Sequence, residues 1–123
     1  MASQNTIFIS YSRKDSDFTL KLAKDLREAD ADIWIDQLDI LAGQDWEREV
    51  ENALETCGRF LIVLSPESVE SRDVRSELSY ARSEDKTILP VLYKECKLPF
   101  RLANIQRTDF TSDYTQGRDQ LFL

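Results

Sequence analysis

Short apolar, β-branched runs alternate with amphipathic stretches along this chain, and that alternation constrains the fold more tightly than any single motif. Thr6-Ile7-Phe8-Ile9-Ser10 reads as a buried strand. After the polar turn Tyr11-Ser12-Arg13-Lys14, a helix begins near Asp15 or Ser16, either of which can cap it. Phe18, Leu22, Leu26 and Ala29 give this helix one apolar stripe. Ala31 to Ile35 is a second strand, followed by a loop over residues 36–44 that holds Gly43. Trp46, Val50, Ala53, Leu54 and Cys57 mark the inner face of the next helix, with Asp45, Glu47 and Glu49 in its positive first turn. Arg59 to Leu64 is a third, strongly apolar strand ended by Ser65-Pro66. A helix from Ser71 to Ser83 turns Val74, Leu78 and Ala81 inward. Thr87 to Leu92 is a fourth strand, and its Pro90 cannot donate to a ladder, which places it near a sheet edge or a bulge. Ile105 to Phe110 gives a short fifth strand, and Asp119 to Leu123 opens a last helix.

Strands and helices at this rhythm build a parallel sheet covered on both faces, with right-handed crossovers. Five strands in 123 residues suit the compact order 2-1-3-4-5. The expected fold is therefore α/β: a flavodoxin-like, doubly wound five-stranded parallel sheet, one domain over residues 1–123. A core-covering helix normally runs about 10 residues or more, so the short last helix implies a fragment of a longer multidomain protein. Ligands in this architecture collect at the carboxyl ends of the strands. Here those ends are Ser10-Tyr11-Ser12, Asp36-Gln37 and Ser65-Pro66.

Composition removes whole classes of chemistry. The chain has no histidine, so neither a Ser-His-Asp or Cys-His relay nor a His-ligated metal site can be built. Its three glycines (Gly43, Gly58 and Gly117) form no glycine-rich phosphate loop. Two cysteines, Cys57 in a helix core and Cys96 in a loop, are too few for a disulfide framework or a zinc site. A net charge of −7 repels a nucleic-acid backbone. No apolar run approaches the roughly 20 residues that span a bilayer. Met1 to Asn5 lacks the regions of a secretory signal, so a cytoplasmic protein is expected. Catalysis, if any, rests on carboxylates, hydroxyls, aromatics and Arg or Lys.

The usual occupants of this fold can be tested at the strand ends. A phosphoacceptor receiver needs an acidic pair after the first strand and an aspartate after the third; here stand Ser10-Tyr11-Ser12 and Leu64-Ser65. Flavodoxins need a small-residue phosphate loop where this chain has Arg13-Lys14-Asp15. What the chain resembles, over essentially its whole length, is the Toll/interleukin receptor (TIR) domain family, in its bacterial form. Phe8 to Ser12 is similar to the family's first-strand signature. Ile33-Trp34-Ile35-Asp36, with Gly43 and Trp46, is similar to its second strand and the long loop behind it. Phe60 to Pro66 resembles the third strand and its terminator, and Ser71 to Ala81 the helix that carries the catalytic glutamate. Pro90-Val91, Leu98-Pro99 and Asp109-Phe110 match the closing landmarks.

The resemblance implies an NAD-cleaving enzyme with NAD as substrate, no separate cofactor and no metal, and Glu77 as the catalytic residue. Local chemistry agrees. Glu77 sits at the edge of the Val74-Leu78-Ala81 stripe, and its neighbours one turn away are Val74, Tyr80, Asp73 and Ala81, none of them basic. Partial burial and the Asp73 charge both raise its pKa. The bland reading is a solvated helix glutamate. In active relatives an aromatic commonly stands one turn before this glutamate, where this chain has Asp73. Trp46 either offers an aromatic face instead or is the first core residue of its helix. Trp34 reads as structural. Ser10, Tyr11, Ser12 and Arg13 lie at the mouth of the sheet, Arg13 reaching a phosphate or solvent. Asp36 either accepts from a ribose hydroxyl or caps its turn.

The loop over residues 36–44 is longer than the two to six residues usual between a strand and a helix. It carries Leu38, Ile40 and Leu41, which either seek a partner or fold back on their own core. Asp36 and Asp39 beside them can pair with a basic surface such as Lys94 and Lys97. The resemblance implies that this loop inserts into the next TIR domain, in head-to-tail assembly that completes its NAD pocket and forms open filaments. Joined to a sensor, such a domain would serve antiphage defence. The alternative is a catalytically silent TIR scaffold that works only through TIR–TIR contacts.

Overall fold

Strand β3 (Arg59–Leu64) organises the molecule because every side chain from Phe60 to Leu64 is buried, as a run apolar on both faces requires. The computed structural model describes residues 5–122; Met1–Gln4 and Leu123, with the readings that fall on them, lie outside. β3 pairs in parallel with β1 (Ile7–Ser10) on one side and β4 (Thr87–Leu92) on the other. Outside them run β2 (Ile33–Trp34) and β5 (Thr108–Asp109), giving the all-parallel order β2-β1-β3-β4-β5. This is the order expected for a doubly wound sheet.

The two faces carry separate cores. Alternation along β1 sends Phe8 to one face and Ile7 and Ile9 to the other. Helices α3 (Trp46–Thr56) and α5 (Arg72–Ser83) cover the Phe8 face with Ala53, Leu54, Val74, Leu78 and Ala81. Helix α1 (Ser16–Glu28) covers the opposite face with Leu22, Ala23 and Leu26, and Tyr114 and Leu121 of α6 (Tyr114–Leu121) pack there too. Ser10 has the same parity as Phe8 and so points toward α5. This alternation governs the site.

Several boundaries differ from the sequence reading, each for a local reason. The first helix is entered through a 3-10 turn, Arg13–Asp15, capped by Ser12 rather than by Asp15 or Ser16. Asp15 makes no cap bond. It is buried and accepts from the Ser65 hydroxyl instead. Ser65 and Pro66 do not merely end β3. Ser65 caps a short helix α4 (Pro66–Glu70) in a reciprocal box with Ser68, with proline in the first turn where its missing N–H costs nothing. The long loop is not wholly irregular, since one helical turn, α2 (Asp36–Asp39), opens it. Ala29 is exposed at the end of α1, and Cys57 is buried as the residue that closes α3. The fifth strand is only two residues long, and α6 starts at Tyr114 rather than Asp119 because Asp113 caps it. Gly117 lies there against Phe110, where an added Cβ would come within 2.7 Å of the ring.

Pro90 lies in an interior strand, yet without conflict. Leu92 offers its carbonyl to Phe110 on the β5 side, and Pro90 shares its parity. β5 pairs only with Val91 and Leu92, so the donor that proline lacks falls where no neighbouring strand has begun.

Candidate functional site

Glu77 is the point where the sheet and α5 meet. The Ser10 hydroxyl, at the carboxyl end of β1, donates to Glu77 Oε1 at 2.7 Å. Desolvation by burial pushes the Glu77 carboxyl up to about 7. The charges of Asp36 and Asp73 push the same way, while the Ser10 hydrogen bond and Arg13 pull it back. Among the described residues no ion pair reaches Glu77. Its hydrogen bond comes from a neutral hydroxyl rather than a cation, and with its titration raised to about 7 the group holds both forms near neutral pH.

Beside it, Arg13, Tyr11 and Asp36 form a bridge from the 3-10 turn to α2. Arg13 donates to Asp36 Oδ2 at 2.8 Å and to the Tyr11 hydroxyl at 3.2 Å, and that hydroxyl donates to Asp36 Oδ1 at 2.7 Å. Burial, reinforced by this donation to Asp36, raises the Tyr11 phenol above its ordinary range. Asp36 Oδ1 also accepts the Gln37 N–H. Both oxygens of Asp36 are therefore engaged within the chain, although Asp36 does not cap α2, whose N-cap is Ile35. The guanidinium of Arg13 lies 4.8 Å above the Trp46 ring, in a cation–π contact. Trp46 is 45% exposed and so is not a core residue of α3. Trp34 stacks on Phe8 with centroids 5.2 Å apart, in keeping with its structural reading, and its outer face remains accessible.

These residues surround one cavity of about 1110 Å³ between α3, α5 and the ends of β1 and β2. Tyr11, Ser12, Arg13, Asp36, Trp46, Asp73 and Glu77 all line it, and Ser10 stands behind Glu77. Every site residue singled out from the sequence thus converges on one place. What sequence reasoning missed is the inner wall of α3. Trp46, Val50 and Leu54 repeat at four-residue spacing into the cavity, and Glu47, Glu51 and Glu55 repeat beside them. The apolar row was legible as a stripe, with Trp46 left open between an aromatic face and a core residue, but of the carboxylates beside it only Glu47 was singled out, as a first-turn charge. Among the described residues no group of three or more His, Cys, Asp or Glu is placed to hold a metal ion, and no helix is long and apolar enough to cross a membrane.

The loop charges proposed for partner contacts are used internally. Asp36 pairs with Arg13, and Asp39 pairs with Arg27 while accepting the Ile35 N–H at 2.7 Å. Leu38 and Ile40 are half-buried, Leu38 against the α1-side core, so the fold-back reading holds for Leu38. Leu41 remains 67% exposed.

The architecture is similar to that of solved TIR domains. The TIR domain of the Toll-related receptor TRR-2 from Hydra magnipapillata superposes with a TM-score of 0.76 at 22% identity, covering 86% of this chain and 84% of that one. The TIR domains of the activated Roq1 resistosome, which directly recognises the pathogen effector XopQ, superpose with a TM-score of 0.72 at 15% identity, covering 95% and 94%. At such identities the likeness is one of fold. No curated protein matches the chain. The TIR domain family profile, however, matches residues 7–122, from the first strand through the last helix, and the chain belongs to the TIR domain family.

Proposed function

We propose that this domain cleaves the bond between nicotinamide and ribose in NAD, with Glu77 as its catalytic carboxylate. The observation that carries the reading is the placement of Glu77: partly buried, without an ion pair among the described residues, its titration raised to about 7, at the wall of a cavity that also holds Trp46 and Trp34. Perturbed carboxylates in clefts are where functional sites cluster. The cavity has room for a dinucleotide, its volume of about 1110 Å³ lying just above the roughly 300–1,000 Å³ usual for small-molecule sites.

The reaction suits so spare a site. When the bond between ribose C1′ and the pyridinium nitrogen breaks, its electron pair goes to that nitrogen and nicotinamide leaves neutral, so no general acid is required. Positive charge develops on the ribose, and an ionised Glu77 held in a low-dielectric wall stabilises it. Water then adds at C1′ and loses a proton, giving ADP-ribose; attack by a ring nitrogen of adenine gives a cyclic isomer instead. Arg13 and Lys14, the two cations of the cavity, face the diphosphate. Activity depends on head-to-tail contact with another TIR domain through residues 36–44, where Leu41 offers the apolar contact. Antiphage defence is the role that this chemistry would serve.

Asp73 favours a second reading, a silent scaffold acting through TIR–TIR contacts alone. It lines the cavity where active relatives commonly place an aromatic, so one stacking wall is missing. Incubating concentrated protein with NAD separates the two: the enzyme releases nicotinamide with ADP-ribose or its cyclic isomer, and the scaffold leaves NAD intact.

A further inference from the structure

We propose that the cavity selects the dinucleotide without a ribose phosphate, taking NAD and turning away NADP, and that the acidic row Glu47, Glu51 and Glu55 on α3 enforces the choice. The inference rests on the NAD-cleaving reading and adds a substrate preference to it.

The charge balance of the cavity carries the argument. Seven carboxylates line it against two cationic side chains, Arg13 and Lys14. Glu47, Glu51 and Glu55 recur every fourth residue, so they form one straight row on α3, about 12 Å long at the helical rise. The apolar row Trp46, Val50 and Leu54 runs beside it and faces the same space. A dinucleotide that lies against the apolar row therefore runs along the carboxylates. No basic residue of α3 is among those lining the cavity.

A diphosphate brings about two negative charges, which the two cations can meet, one of them already shared with Asp36. The pyridinium end of NAD is cationic and is attracted by this field. A 2′-phosphate brings nearly two further negative charges and finds no cation left to receive it. In a cleft whose walls limit screening, a field of one sign discriminates between ligands of different charge.

The test is to compare kcat/KM for NAD and for NADP, each at ionic strengths of about 0.01 M and about 1 M, where the screening length falls from about 30 Å to about 3 Å. The ratio within one protein cancels any effect of salt on assembly. The expected result is a preference for NAD of about tenfold or more at low salt that shrinks toward unity at high salt. A Glu51→Lys, Glu55→Lys double variant should reduce the low-salt ratio by about tenfold. Both positions are exposed, and a lysine near the end of α3 agrees with the helix dipole, so the variant retains its fold. Equal efficiency at low salt, or a preference unmoved by both salt and charge reversal, overturns the selectivity while leaving NAD cleavage standing. If neither dinucleotide is cleaved, calorimetric affinities decide. Salt-sensitive tighter binding of NAD than of NADP keeps the selectivity without the reaction, and binding of neither, or of both equally, overturns it.

Discussion

The Ser10 hydroxyl and the Glu77 carboxylate, 67 positions apart in sequence, meet at 2.7 Å and join the end of β1 to the middle of α5. This hydrogen bond favours the ionised form of Glu77 against the desolvation that opposes it. Burial and Ser10 are thus the two largest opposed influences on the ionisation of Glu77, with the charges of Asp36, Asp73 and Arg13 acting beside them.

If the ionised form does the chemistry, nicotinamide release should rise as pH increases through about 7. Ser10→Ala removes the stabilising bond, so the rising limb moves to higher pH and the rate at pH 7 falls. A profile of kcat against pH for both proteins checks this. A limb in the same place in both would show that Ser10 does not tune the working carboxylate.

The same titration has a consequence for stability. The folded-state pKa of Glu77 is raised, so the folded protein binds more protons than the unfolded chain between about 4.5 and about 7. The contribution of Glu77 is then most favourable below that window and is lost as pH rises through about 7. Glu77→Gln, which cannot ionise, should match the parent near pH 4.5 and exceed it by about 1–3 kcal/mol at pH 8. Urea unfolding at the two pH values measures the difference.

The fold was legible because strand-forming and helix-forming periodicities agree along the chain, down to the bounds of β3 and β4. The site was legible as a set of residue types at strand ends, since Tyr11, Arg13 and Asp36 come from the turns that a doubly wound sheet gathers. Pairings were not. The Arg13–Asp36 bridge and the burial of Asp15 under Ser65 depend on where separate loops land, which no local spacing encodes. Trp46 stayed open between two readings because an apolar residue opening a helical stripe looks the same whether it faces a core or a cavity, and its exposure favours the cavity. The α4 turn was hidden because proline after a strand ends one element and starts another with the same residue.

Asp73→Trp should preserve or raise NAD turnover. Asp73 is exposed in the cavity wall, so the larger ring displaces no core residue. The change also removes a charge that raises the Glu77 titration, so the rising limb should move to lower pH. Complete loss of turnover in a well-folded variant would give Asp73 a positive role in the reaction.

Leu41→Glu should leave folding stability within about 0.5 kcal/mol of the parent, because the side chain is already 67% exposed. It should nevertheless lower turnover at high protein concentration by about tenfold or more, as loss of an apolar anchor at an interface does. Sedimentation and specific activity are to be followed together across a dilution series. Specific activity independent of concentration and untouched by the substitution would remove the assembly requirement.

The most direct test is nicotinamide release from NAD by Glu77→Gln beside the parent, at equal high concentration and pH 8. Gln can still accept the Ser10 hydrogen bond and keeps the fold, so only the charge is lost. The predicted result is a fall of at least about 10²-fold with assembly unchanged. Parent-level release by Glu77→Gln would contradict the assignment of the reaction to this carboxylate.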